Sequence, residues 1–236
     1  MAALLAAVQL TVFAASSLGN AFQELGALFE KEHPGVTVAF NFAGSQELRT
    51  QVERGARADV FASADERQLR MLAGEGLSES PAIFARNQPV LVVPRGNPAG
   101  VHGLLDLPRA RRIVVGAASV PIGAYAEQVL DAASARYGRQ FRRAVEARIA
   151  SRELNVRQVL AKVSLGEADA GIVYRTDALG ARPAVEMLPL PAELTPLAEY
   201  PVAALREAPQ PELARAFVRL LLSEAGRAIL ARYGFQ

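Results

Sequence analysis

Four times in this chain an apolar, strand-like run ends in small or polar residues that open a helix. The four are VFAASSL at 12–18, FNFAGSQEL at 40–48, VVGAASVPIGAY at 114–125 and ASRELNVRQVL at 150–160. A strand that turns straight into a helix, again and again, implies α/β organisation with helices covering the sheet. In open sheets of that kind ligands sit beyond the carboxyl ends of the strands. The first four N–H groups of each helix have no intrahelical acceptor, so several such ends brought together make a site for an anion.

The remaining segments keep the alternation. Leu10–Ala14 reads as a strand and is followed by a helix to about His33, where Pro34–Gly35 stops it. Val36, Val38, Phe40 and Phe42 alternate as a half-buried strand. A helix from Ser45 turns Leu48 and Val52 inward, Asp59–Ala62 is a short apolar strand, and Asp65 caps a helix carrying Leu69 and Leu72. The composition shifts over Ser80–Arg86. Gln88–Pro94 and Ile113–Val115 read as strands, Ile122–Ala135, Gln140–Arg148 and Asn155–Ser164 as helices, and Ala170–Tyr174 as a strand. Glu186–Thr195 is Pro-spaced and extended, and Tyr200–Leu205 is a strand. Pro211 suits a first helical position, and Ser223 caps a last helix ending at Tyr233–Gly234.

Composition removes several function classes. No Cys is present, so disulfides, thiolate metal sites and cysteine nucleophiles are out. The two histidines, His33 and His102, fall at a helix end and in a Gly-rich loop, and neither lies in a motif where a general base would serve. No G-x-x-x-x-G-K-[ST] or G-x-S-x-G occurs. Of the 26 basic residues 24 are Arg, but 24 acidic residues interleave with them for a net charge of +2. The clusters Arg109, Arg111, Arg112 and Arg136, Arg139, Arg142, Arg143 lack interleaved aromatics and read as solvated surface, so no nucleic-acid partner is expected. The apolar start, Met1–Val8, lacks the basic region and length of a full export signal and reads as an incomplete one or as a soft N-terminus. No apolar run approaches the roughly 20 residues of a membrane span.

Two roles stay open at each strand-to-helix turn. Ser16, Ser17 and Ser45 fit either an N-cap worth about 1 kcal/mol or a hydroxyl donor to a ligand. Pro121 and Gly123 fit an ordinary turn or a close backbone approach to a ligand. Asn155 fits a plain cap or the start of a ligand-facing helix, and Tyr174 a core position or a cleft.

In their order and spacing, FAASSLGNAF at 13–22, FNFAGSQELRTQVERGARADVFASAD at 40–65, VPIGAYAEQVL at 120–130 and VRQVLAKVSLGEADAGIVYRTDA at 156–178 resemble the molybdate-binding proteins of bacterial ABC importers, from about Leu10 to Phe235. The resemblance implies a type II periplasmic-binding fold: two α/β lobes with a ligand cleft between them. The first lobe would take residues 8–85 and 200–236, and the second residues 86–199. The family's oxyanion-binding positions match Ser17, Ser45, Ile122, Val156 and Tyr174, with Ser16 and Gly123 as additional candidates. Family members commonly have a small residue where this chain has Ile122. The implied ligand is molybdate or tungstate. Molybdenum enters only as that oxyanion, and no cofactor and no catalysis are involved. The implied partner is an ABC permease at the membrane. A monomer is expected, in the periplasm or on the outer face of the membrane. Arg49, Arg54 and Arg157 are expected near the site without touching the anion.

Three rivals are kept. A receptor for another oxyanion such as sulfate has the same fold. A regulator's effector-sensing module would need a helix-turn-helix segment, and none precedes residue 10. A hydrolase using Ser17 or Ser45 would need a base.

Overall fold

The structure is a computed structural model and describes residues 8–236. Of the incomplete export signal expected at Met1–Val8, residues 1–7 lie outside the described residues. The chain divides into two compact units, one running to Arg86 and resuming over Glu199–Gln236, the other spanning Asn87–Ala198.

The first unit begins with β1 (Val8–Ala15), a short 3-10 turn (Ser16–Leu18) and α1 (Gly19–Glu32). Then come β2 (Val36–Ala43), α2 (Ser45–Glu53), β3 (Val60–Ala62), α3 (Glu66–Gly74) and β4 (Ala82–Asn87). The second unit holds β5 (Pro89–Pro94), a 3-10 turn (Leu104–Arg109), β6 (Ile113–Gly116), α4 (Pro121–Tyr137), α5 (Arg139–Glu146) and β7 (Ile149–Glu153). It continues with α6 (Val156–Ser164), β8 (Ala170–Tyr174), α7 (Arg175–Gly180), β9 (Val185–Leu188) and a 3-10 turn (Ala192–Leu194). The return to the first unit supplies β10 (Ala198–Ala204), α8 (Pro211–Leu222) and α9 (Glu224–Arg232).

Each unit is built on a five-stranded mixed sheet, with strand orders β2-β1-β3-β10-β4 and β7-β6-β8-β5-β9. In the first sheet β1 is parallel to β2 and β3, and β10 runs antiparallel to β3. In the second, β6 is parallel to β7 and β8, and β5 is antiparallel to β8 and β9. The β1–β2 register runs from Val8 opposite Val36 to Ala15 opposite Ala43.

Side-chain alternation along β1 feeds two cores. Phe13 and its partner Phe61 join Leu48 and Val52 of α2 and Leu69 and Leu72 of α3 on one face. Val12 is paired with Phe40 on the other face. There Phe22 meets Phe40, Phe84 and Phe217 at ring separations of 6.1, 5.8 and 6.0 Å. Fully burying each such ring is worth about 1.5–3 kcal/mol. Asp59, just before β3, ties the unit together: its carboxylate accepts from the N–H of Thr11 at 2.7 Å and of Gln210 at 2.6 Å. In the second unit β5, β6 and β8 are buried along their whole length, which is why PVLVVP, IVVG and AGIVY read as unbroken apolar runs.

Three helix starts follow local capping. Asp65, Asn155 and Ser223 each accept from the N–H three residues on, at 2.9, 3.1 and 3.1 Å. Gly35 takes φ +88° in the turn after α1, where the Val36 N–H bonds the His33 carbonyl, a conformation costly for any L residue with a side chain. Three expectations are corrected, and one unassigned segment gains an element. Ser80–Arg86 contains the edge strand β4, and the helix expected over Gln140–Arg148 stops at Glu146 because Ile149–Glu153 pairs as β7. The extended reading of Glu186–Thr195 holds for β9 but gives way to a 3-10 turn at Ala192. Arg142 is not simply solvated: its guanidinium is gripped by Glu127, Asp131 and Glu146, while Arg136, Arg139 and Arg143 are exposed.

Candidate functional site

Within the first unit the parallel strands β1, β2 and β3 end along one edge of the sheet, since Ala15 lies opposite Ala43 and Ala14 opposite Ala62. Each strand leaves that edge through small residues: Ala15–Ser16–Ser17, Ala43–Gly44–Ser45 and Ala62–Ser63–Ala64. Short side chains line that edge.

The structure removes the capping alternative for the serines. The residue in the cap position is Ala15 before the 3-10 turn and Gly44 before α2, and neither makes a side-chain cap. Ser17 and Ser45 are the first buried hydroxyls beyond those caps, 4% and 1% exposed. Ser17 Oγ lies 3.0 Å from the Tyr200 hydroxyl. Ser45 Oγ accepts from the N–H of Ala64 at 3.1 Å. Ser16 is half-buried at the start of the turn, and its carbonyl takes the N–H of Gly19. Ser63, though fully buried, is spent internally: its hydroxyl donates to the Asp65 carbonyl and its N–H goes to Pro201.

Charge at this edge is tied up. Arg49 donates through Nε to Gln68 at 2.9 Å and pairs with Glu53. Arg54 is exposed. Burial pushes the Asp65 carboxyl up, and its hydrogen bond from Gln68 N–H only partly offsets that.

The second unit repeats the arrangement. β6 and β7 end together, Gly116 opposite Glu153, and β8 lies parallel on the other side of β6. Val120 enters α4 in an extended conformation with Pro121 in the first turn, which fits a residue without an N–H. Ala124 N–H makes the first ladder bond, to Val120. The N–H groups of Ile122 and Gly123 therefore fall outside the helix's own bonding. In α6 the Asn155 side chain takes Gln158 N–H, and the Val156 N–H likewise precedes the first ladder donor, Val159. Ile122 and Val156 are 1% and 3% exposed.

Gly123 has a packing reason of its own. A Cβ there would meet the Ala117 carbonyl oxygen at 1.9 Å. The glycine lets the first turn of α4 sit on the loop that leaves β6. Tyr174 closes β8, 1% exposed, with its ring edge-on to Tyr125 at 6.2 Å. Arg157, beside Val156, places Nε 2.8 Å from Oδ1 of the fully buried Asp177. Burial pushes Asp177 up to about 6 despite that guanidinium.

Ser17 and Ser45 thus share one strand-end edge of the first unit, and Ile122, Val156 and Tyr174 follow strand ends in the second. A cavity of about 250 Å³ in the second unit, lined by Gln88, Val90, Arg175, Met187, Leu190 and Thr195 among others, contains none of the five. Two residues were missed by sequence reasoning, Tyr200 and Asp177. Tyr200 was read only as the start of a strand. Asp177 lies in the quoted VYRTDA run, but its burial depends on α7, a helix too short to announce itself. His33 stacks on Phe29 at 4.0 Å and bonds its carbonyl, and His102 is exposed.

A family model for bacterial extracellular solute-binding proteins matches residues 10–236. The chain belongs to that family. This solute-binding protein is 41% identical to a Mycobacterium tuberculosis (H37Rv) protein named molybdate-binding protein ModA, over 96% of this chain and 84% of that one. It is 32% identical to a protein of the same name from Escherichia coli K12, over 96% and 88%. Among solved structures, the periplasmic molybdate-binding protein of Azotobacter vinelandii matches with a TM-score of 0.81 at 21% identity, covering 96% of this chain and 98% of that chain. The sulfate-binding protein SubI of M. tuberculosis H37Rv matches with a TM-score of 0.86 at 19% identity, covering 97% and 86%. The fold is that of the type II periplasmic-binding proteins, and the family is one of solute-binding transport proteins rather than enzymes.

Proposed function

We propose that this solute-binding protein captures molybdate or tungstate outside the cytoplasmic membrane and passes it to the permease of an ABC importer, acting as a monomer and leaving the ligand chemically unchanged. Its relatives' names support the ligand class. The observation that carries the reading is the kind of donor found at the strand ends: buried serine hydroxyls and helix-start amides, with the neighbouring cations Arg49 and Arg157 held by Glu53 and Asp177.

Burying a dianion without compensation is very costly. Neutral donors can supply the compensation, because a hydrogen bond to a charged acceptor contributes about 1.5–3 kcal/mol. The donors in this reading are the hydroxyls of Ser17, Ser45 and Tyr174 and the N–H groups of Ile122 and Val156, with Ser16 and Gly123 as additional candidates. The helix starts add a fixed favourable field. Sulfate has the same charge and shape, so a donor cage of fixed size must discriminate by anion radius.

Isothermal titration with molybdate, tungstate and excess sulfate tests this. Molybdate is expected to bind in the presence of the sulfate, and Ser45→Ala to weaken it about 10- to 100-fold, the worth of one charged-acceptor hydrogen bond. Equal competition by sulfate would move the assignment to another oxyanion. Unchanged affinity in both Ser45→Ala and Tyr174→Phe would remove these residues from the site.

A further inference from the structure

A serine hydroxyl has one proton and can also accept. Where the ligand is an oxyanion that only accepts, the hydroxyl helps only if its proton points at the ligand, and a protein donor on one of its lone pairs fixes that direction. Ser45 has such a donor in the Ala64 N–H. Ser17 has its counterpart in Tyr200, whose hydroxyl lies 3.0 Å away and could stand in either role.

We infer that Tyr200 is a positioning residue that donates its proton to Ser17 Oγ and so turns the Ser17 proton toward the bound oxyanion. The inference rests on the proposed anion site, and it adds a specificity element: Ser17 held in this way turns its proton toward the ligand and so favours an oxyanion over a protonated ligand. The geometry is suited to the task. Tyr200 is fully buried, and its ring is fixed edge-on against Phe84 at 6.4 Å and Phe235 at 5.4 Å. A phenol is a better hydrogen-bond donor than an aliphatic hydroxyl, which favours this direction, and a chain of two such bonds strengthens the one that reaches the anion.

The test is a double-mutant cycle on molybdate binding by calorimetry, using Tyr200→Phe, Ser17→Ala and the pair. Tyr200→Phe keeps the ring and is expected to weaken binding about 5- to 30-fold in the otherwise native protein. It should change binding less than 2-fold when Ser17 is already Ala. Native-like affinity in Tyr200→Phe overturns the inference while leaving the anion site standing. An equal loss in both backgrounds also overturns it, because the tyrosine would then act on the fold and not through Ser17. Absence of molybdate binding by the unaltered protein defeats the anion site itself, and the inference with it. Should Tyr200→Phe not fold, 3-fluorotyrosine at position 200 keeps the ring and supplies a stronger donor. Tighter molybdate binding then supports the inference, and equal or weaker binding overturns it.

Discussion

At neutral pH Asp177 carries its charge in a place that penalises it. The carboxylate is fully buried in the first turn of α7, its one ionic neighbour is Arg157, and neither oxygen accepts an aligned hydrogen bond among the described residues. An ordinary aspartate ionises near 3.8, and this one near 6. At about 1.4 kcal/mol for each tenfold change in proton affinity, ionised Asp177 costs the folded unit about 3 kcal/mol relative to the unfolded chain. The sign follows from proton counts. Between pH 3.8 and 6 the folded state binds the proton more tightly, so the contribution of this group to stability is fully present below 3.8, declines as pH rises through the window, and is gone above about 6. Asp177→Asn replaces the carboxylate by a neutral group of the same shape. The variant is expected to match the native protein at pH 4 and to exceed it by up to about 3 kcal/mol at pH 8. Urea unfolding followed by hydrogen exchange at α6 and α7 amides reads the second unit separately, as a two-unit chain requires. A variant less stable at pH 8, or one with the native pH slope between 4 and 6, would refute the reasoning.

Two further substitutions probe the frame around the strand ends. Gly123→Ala drives a methyl into the Ala117 carbonyl and should destabilise the second unit by about 3 kcal/mol in denaturant titrations; a loss below about 1 kcal/mol would mean the α4 start moves freely. Asp59→Asn leaves one of the Thr11 and Gln210 N–H groups facing another donor and should cost the first unit about 1–3 kcal/mol, read from its urea midpoint.

Local chemistry was legible in the sequence and long-range placement was not. Asp65, Asn155 and Ser223 could be identified as helix starts because a cap bonds an N–H only three residues away. The central strands declared themselves by burial on both faces, as in Gln88–Pro94 and Ala170–Tyr174. The elements that escaped are at the margins. β4 is an edge strand of its sheet, and AIFARN mixes half-buried, buried and exposed positions, so it carries no clean apolar pattern. The six-residue α7 is shorter than two helical turns. For the candidate site, the turns bearing Ser17, Ser45, Ile122 and Val156 were visible as small residues after a strand. The partners of the serine hydroxyls were not. Ala64 reaches Ser45 only because β2 and β3 flank β1, and Tyr200 reaches Ser17 across 183 positions of sequence.

The insertion of β10 between β3 and β4 sets an order of assembly. Asn87–Ala198 is one uninterrupted stretch and can complete its sheet while the ribosome is still at work. The unit that begins first must wait: until residues 199–236 emerge, β3 has a bare flank, the Phe22 cluster lacks Phe217, and Ser17 has no tyrosine beside it. A nascent chain of this design holds an unfinished, apolar N-terminal half until its last residues are made.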